Sequence, residues 1–144
     1  MKRHLVFLLG FVLNVSFCFA HHLAVVVNQA NSLTNISSTH LARVYKAETK
    51  KWPDGTEVVL VLHKASRGEM LTLQKLINIP DSDLKARLKD HKNVILVDSD
   101  NDVLDTVNST SGAIGLLDVR SINNKVKVVK VDGKLPMEQG YLPD

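Results

Sequence analysis

The chain has 144 residues, with 18 Lys+Arg against 15 Asp+Glu and a single cysteine. The first twenty residues read as a cleavable leader that takes Lys2, Arg3 and Cys18 with it, leaving 16 Lys+Arg against 15 Asp+Glu. A near-neutral, cysteine-free remainder of this size gives no electrostatic basis for binding nucleic acid, has no disulfide to staple it, and must rest on one hydrophobic core.

The leader, MKRHLVFLLGFVLNVSFCFA, has a basic start, an apolar run from Leu5 to Phe17, and Cys18 and Ala20 at the small-residue positions of a cleavage site. Cleavage is expected after Ala20, which makes residues 1–20 a bacterial-type signal peptide and residues 21–144 one exported, periplasmic or secreted domain. Bulky Phe17 stands where lipid attachment at Cys18 requires a small residue, so no lipid anchor is expected. Downstream, nothing approaches the roughly 20 consecutive apolar residues of a membrane-spanning helix.

In chain order, LAVVV (23–27) is a short continuous apolar run, the pattern of a strand covered on both faces. A helix follows with Leu41, Val44 and Tyr45 on one face, capped by Ser37 or Ser38. The turn Trp52-Pro53-Asp54-Gly55 leads into a second buried run, VVLVL (58–62). Met70, Leu73, Leu76 and Ile77 mark the next helix. Leu84 and Leu88 mark a third, with Asp81 after Pro80 as its cap. VILV (94–97) repeats the buried-strand pattern. Ser99 or Asp100 then opens a helix with Val103, Leu104 and Val107, and AIGLL (113–117) is a further buried run. Finally, Val126, Val128 and Val131 alternate with Lys127 and Lys130, as in a half-exposed strand at a sheet edge. The alternation predicts an α/β fold: a mostly parallel sheet with helices on both faces.

Ligands of such sheets bind at the carboxyl ends of the strands. The segment HKASRGEM (63–70) is one such handover from strand to helix, and it holds His63, Lys64, Ser66, Arg67 and Gly68 within six residues. A helix starting near Arg67 presents unpaired N–H groups and a partial positive charge. Ser66 adds a hydroxyl, Gly68 allows close approach to the backbone, and Arg67 offers a planar fork for a tetrahedral oxyanion. The same residues also fit a plain capped turn, with Ser66 as N-cap and the cations solvated. In STSGAIGLLD (109–118) the hydroxyls of Ser109, Thr110 and Ser111 offer donors, but a helix end closed by Gly112 explains them as well. His21-His22 at the new terminus is read as a frayed end without a metal.

The order VYKAETKKWPDGTEVVLVLHKASRGEMLTLQKLI, then a helix, then DVLDTVNSTSGAIGLLDV resembles the periplasmic phosphate-binding proteins of ABC transporters, which have the type 2 periplasmic binding protein fold. The matching features are Tyr45, the turn at Trp52 to Gly55, the loop at 63–70, and Gly112-Ala113-Ile114-Gly115. The resemblance implies an anion site made by His63, Ser66, Arg67, Gly68 and Glu69, the last two through their N–H groups. It also implies phosphate or a similar oxyanion as ligand, an ABC permease or another envelope protein as partner, and neither catalysis nor a cofactor. In that family two lobes close on the anion. This chain has the length of one, and resembles the second lobe. His63 stands nearest the family's arginine, and the loop is one residue shorter, so either Ser66 or Arg67 matches the family's serine. A protein-interaction or sensor domain with a vestigial anion loop is the alternative. No nucleophile elbow, P-loop or metal-spaced cluster points to an enzyme.

Overall fold

Strand β1 (Leu23–Asn28) buries every residue from Ala24 to Asn28 and runs through the middle of a six-stranded sheet. The computed structural model describes residues 22–144, so the leader and His21 lie outside the described residues. After β1 come β2 (Asn35–Ile36), α1 (Ser38–Tyr45), β3 (Val59–His63), α2 (Arg67–Ile77), α3 (Asp81–Lys89), β4 (Val94–Val97), α4 (Asp100–Ser109), β5 (Ala113–Asp118) and β6 (Val126–Val131). The sheet order is β2-β6-β1-β5-β3-β4. β3 pairs in parallel with β4 and β5, and β2 with β6, while β1 is antiparallel to both β5 and β6. The apolar run of β1 therefore reflects cover on both faces rather than a parallel neighbour.

That cover comes from two cores. Val25, Val27, Leu60, Leu62, Ile114 and Leu116 face α1, α2 and α3 through Leu41, Val44, Leu73, Ile77, Leu84 and Leu88. Val26, Val61, Ala113 and Leu117 face α4 through Val103, Leu104 and Val107. Gly115 lets α4 lie close, since an added Cβ would meet Val103 Cγ1 at 3.2 Å and Val61 O at 3.3 Å. Among the described residues no helix is long and apolar enough to cross a membrane.

Caps form at Ser37, Ser66 and Ser99, each accepting the N–H three residues on. The expected cap at Asp81 does not form. Pro80 takes that position without a side-chain bond, and Asp81 instead accepts from Gln74 Nε2 at 3.0 Å. Nor does Gly112 close α4 in a left-handed conformation: Thr110 is the C-cap, in an extended conformation.

Gly112 is required for space. A Cβ there would fall 1.7 Å from Glu57 O, while its own carbonyl accepts from Trp52 Nε1 at 2.9 Å and from Val59 N at 3.0 Å. The Trp-Pro-Asp-Gly turn and the Gly-Ala-Ile-Gly start of β5, far apart in sequence, are thus two halves of one contact. At the other end of the chain the Tyr141 hydroxyl accepts from Val25 N at 3.0 Å and donates to Val129 O at 2.6 Å, fastening the C-terminal segment across β1 and β6.

Two edge assignments change. VILV (94–97) is not buried: β4 is the outermost strand, with Ile95 37% and Leu96 49% exposed. β6 is not the edge, because β2 pairs outside it, and Val126, Val129 and Val131 are its buried residues.

Candidate functional site

β3 and β5 are parallel, so their carboxyl ends, His63 and Asp118, lie at one end of the sheet, together with Val97 at the end of β4. His63 hands over to α2 through a turn in which Ser66 N donates to His63 O at 3.0 Å. Ser66 is extended (φ −82°, ψ 102°), as an N-cap requires, and its Oγ accepts from Glu69 N at 3.2 Å. Met70 N donates to Ser66 O, closing the first α-helical bond. The N–H groups of Arg67 and Gly68 have no partner among the described residues. They are the orphan donors of the helix start, at the positive end of its dipole. The Arg67 side chain is exposed and has no acidic partner among the described residues.

Of the five residues expected to form the anion site, Ser66, Arg67 and Gly68 thus lie together around the first turn of α2. Glu69 N–H is occupied by the Ser66 hydroxyl. The imidazole of His63 turns toward the loop between β4 and α4, where Nε2 donates to Asp98 O at 2.9 Å. Nδ1 lies 3.3 Å from Asp100 Oδ1, within ion-pair distance but out of line for a hydrogen bond. Lys64 Nζ is 3.2 Å from Asp98 Oδ1. On its far side Asp100 accepts from Ser121 Oγ at 2.7 Å. Asp118 holds Arg120 through Nε at 3.0 Å and Nη2 at 2.8 Å, which raises the guanidinium pKa further above its ordinary value. Carboxylates therefore already engage His63, Lys64 and Arg120.

In the sequence Asp100 stood out only as a possible helix cap, and Asp98 and Asp118 carried no signal of this acidic set. Glu69 entered only for its backbone. The Glu69 side chain is 1% exposed, and Oε1 accepts from His63 N at 3.3 Å. Burial pushes its pKa up to about 8, the His63 N–H opposes that rise, and the charge on Asp100 adds to it. Tyr45 is buried in the same core and its hydroxyl has no hydrogen-bond partner among the described residues. Burial foremost, then the charges of Glu69 and Tyr141, hold its pKa well above the ordinary tyrosine value. The spacing Glu69, Leu73, Ile77 was the available signal, because residues four apart share a helix face.

The other candidate, Ser109 to Ser111, lies at the opposite end of β5, away from His63. Ser109 Oγ bonds back to Asp105 O at 2.8 Å within α4. A cleft of about 480 Å³ also opens at that far end, between Lys50, Lys51 and Lys92 over a floor of Val58 and Val94. It brings together no strand carboxyl end and no helix N-terminus. No group of three or more His, Cys, Asp or Glu positioned to hold a metal occurs among the described residues.

Residues 14–142 match the PBP superfamily domain. Among solved structures, an ABC-type phosphate transport receptor from Vibrio cholerae superposes with a TM-score of 0.67 at 24% identity, covering 80% of this chain and 48% of the other. A phosphate ABC transporter substrate-binding protein with bound phosphate from Clostridium perfringens gives 0.66 at 18% identity, with 78% and 45% covered. PstS from Borrelia burgdorferi gives 0.65 at 19%, with 80% and 49% covered. The chain spans about half the length of each, and at these identities the likeness is one of fold. Among curated proteins no match is found. With the family match running over nearly the whole sequence and the fold shared with these binding proteins, the chain belongs to the PBP superfamily domain family.

Proposed function

We propose that the chain is a solute-binding module for phosphate or a related tetrahedral oxyanion, held at the first turn of α2 by the Ser66 hydroxyl, the Arg67 guanidinium and the N–H groups of Arg67 and Gly68. The observation that carries this reading is the uncommitted Arg67 beside two unpartnered helix N–H groups, at the carboxyl end of β3, an interior strand next to the sheet edge. That the Clostridium perfringens structure has phosphate bound supports the ligand class. His63 and Glu69 N–H belong to this set only if they exchange their present partners for the anion.

A hydrogen bond to a charged group contributes about 1.5 to 3 kcal/mol, so two come to about 3 to 6 kcal/mol. Millimolar affinity corresponds to about 4 kcal/mol and micromolar to about 8. An anion held from one side should therefore bind near millimolar, since small-ligand sites usually enclose about 70–90% of the ligand. Titration calorimetry with inorganic phosphate is expected to show such binding, weakened at least about tenfold in Arg67→Ala. Millimolar binding unchanged in the variant would take Arg67 out of the site.

The second reading is a non-catalytic interaction or sensor domain of the envelope, with an ABC permease or another envelope protein as partner. The observation favouring it is that Asp98 already pairs with Lys64, and Asp100 lies 3.3 Å from His63 Nδ1. Absence of phosphate binding at tens of millimolar, about tenfold beyond the expected value, would select it. Both readings include export. Protein recovered from the bacterial envelope is expected to have an intact mass that begins at His21 and carries no acyl chain; a mass retaining the leader would refute this.

A further inference from the structure

The two edges of the sheet differ. One is β2, only two residues long. The other is β4, Val94-Ile95-Leu96-Val97, which has no charge and no proline and leaves Ile95 37% and Leu96 49% exposed. Natural edge strands are usually shortened, charged or covered, because an open row of N–H and C=O groups invites another strand.

The hydrogen-bond phase of β4 is fixed by β3. Leu60 N donates to Asn93 O at 2.8 Å and Lys64 N to Val97 O at 3.0 Å. Residues 93, 95 and 97 thus turn their backbone groups inward, leaving those of Val94 and Leu96 outward. An antiparallel partner strand must set its own outward groups against these.

We propose that β4 is the dimerisation edge of this protein, pairing with β4 of a second copy about a two-fold axis at Ile95. In that register Val94 faces Leu96 of the second copy, Ile95 faces Ile95, and Lys92 faces Asp98. The twofold repeats every pair, so the apolar residues meet in the middle and opposite charges meet at both ends. The Asp98 side chain is 70% exposed and would share its carboxylate between Lys64 of its own chain, at 3.2 Å, and Lys92 of the second copy. Registers centred on Val94 or Leu96 also satisfy the backbone phase, but neither brings Lys92 opposite Asp98. Because the strands run antiparallel, the two α2 N-termini lie at opposite ends of the joined sheet. The dimer leaves the proposed anion site open and does not depend on it.

Sedimentation equilibrium of the purified protein should give a dimer, and Ile95→Lys, which sets two like charges face to face, should give a monomer with an unchanged circular dichroism spectrum. Lys92→Asp should weaken the dimer, and Lys92→Asp combined with Asp98→Lys should restore it. The register has its own readout. In a non-hydrogen-bonded antiparallel pair the Cα atoms are about 4.5 Å apart, within the range a disulfide spans. In a Cys18→Ser background, Ile95→Cys should therefore cross-link into a dimer on mild oxidation, whereas Leu96→Cys should not. A wild-type monomer at hundreds of micromolar would overturn the proposal. So would a dimer indifferent to both Ile95→Lys and Lys92→Asp, or equal cross-linking of the two cysteine variants.

Discussion

Val61→Asp is expected to leave the protein unfolded at neutral pH. Val61 is fully buried, at the point where β3 pairs with both Ile95 of β4 and Gly115 of β5, and it belongs to the core under α4 with Val26, Val103 and Val107. Among the described residues, the side chains of that core are all apolar, with no cation to meet a carboxylate. An uncompensated buried charge costs several kcal/mol, which is most or all of a typical stability of about 5 to 15 kcal/mol. The circular dichroism spectrum should lose its α/β signature. Leu71→Gln, at a position 46% exposed on α2, should shift the melt only slightly, within about 0.5 kcal/mol. A cooperative melt near wild type for Val61→Asp would show that the two-core arrangement is wrong.

The apolar runs at 23–27, 58–62 and 113–117 were legible because each strand carries neighbours on both sides and helices on both faces. The run at 94–97 has the same composition but lies at the sheet edge. Composition reports that a segment seeks cover, not whether the rest of the chain supplies it. The lysine alternation in β6 misled in the opposite direction. Lys127 Nζ is spent on the Asn31 carbonyl and two residues of β2 pair beyond Lys130, so charged side chains can mark a strand that is second from the edge. Direction was illegible for β1, because two-sided burial looks alike in parallel and antiparallel strands.

The candidate site divides the same way. Ser66, Arg67 and Gly68 could be read from eight consecutive residues, since strand end, cap and first helical turn are local. What surrounds them could not. Asp98 and Asp100 reach His63 across 35 or more positions of sequence, and Ser121 reaches Asp100 from the segment after β5. Only the parallel pairing of β3 with both β4 and β5 brings those segments together. The acidic surroundings of His63, which bear most directly on anion binding, are therefore a property of topology rather than of any motif.

Glu69 should make this protein lose stability as pH rises through the neutral range. Its carboxyl has a pKa of about 8 in the folded protein against the ordinary glutamate value of 4.5. Below about pH 4.5 both states hold the proton and the group has no differential effect. Between the two values the unfolded chain releases it while the folded chain keeps it, so each pH unit favours unfolding by about 1.4 kcal/mol. The loss is complete above about pH 8 and amounts to as much as about 5 kcal/mol, an upper figure because local relaxation around an ionised Glu69 would reduce it. Glu69→Gln keeps an oxygen to accept the His63 N–H but cannot ionise. Its amide protons meet a buried environment, so absolute stability at low pH is expected to fall somewhat; the diagnostic quantity is the slope. Chemical denaturation between pH 5 and 9 should show wild type declining steeply toward pH 8 and the variant nearly flat across the same interval. Parallel pH profiles for the two proteins would mean that Glu69 is already ionised at neutral pH, and would require a cation or water near Oε2 to hold that charge.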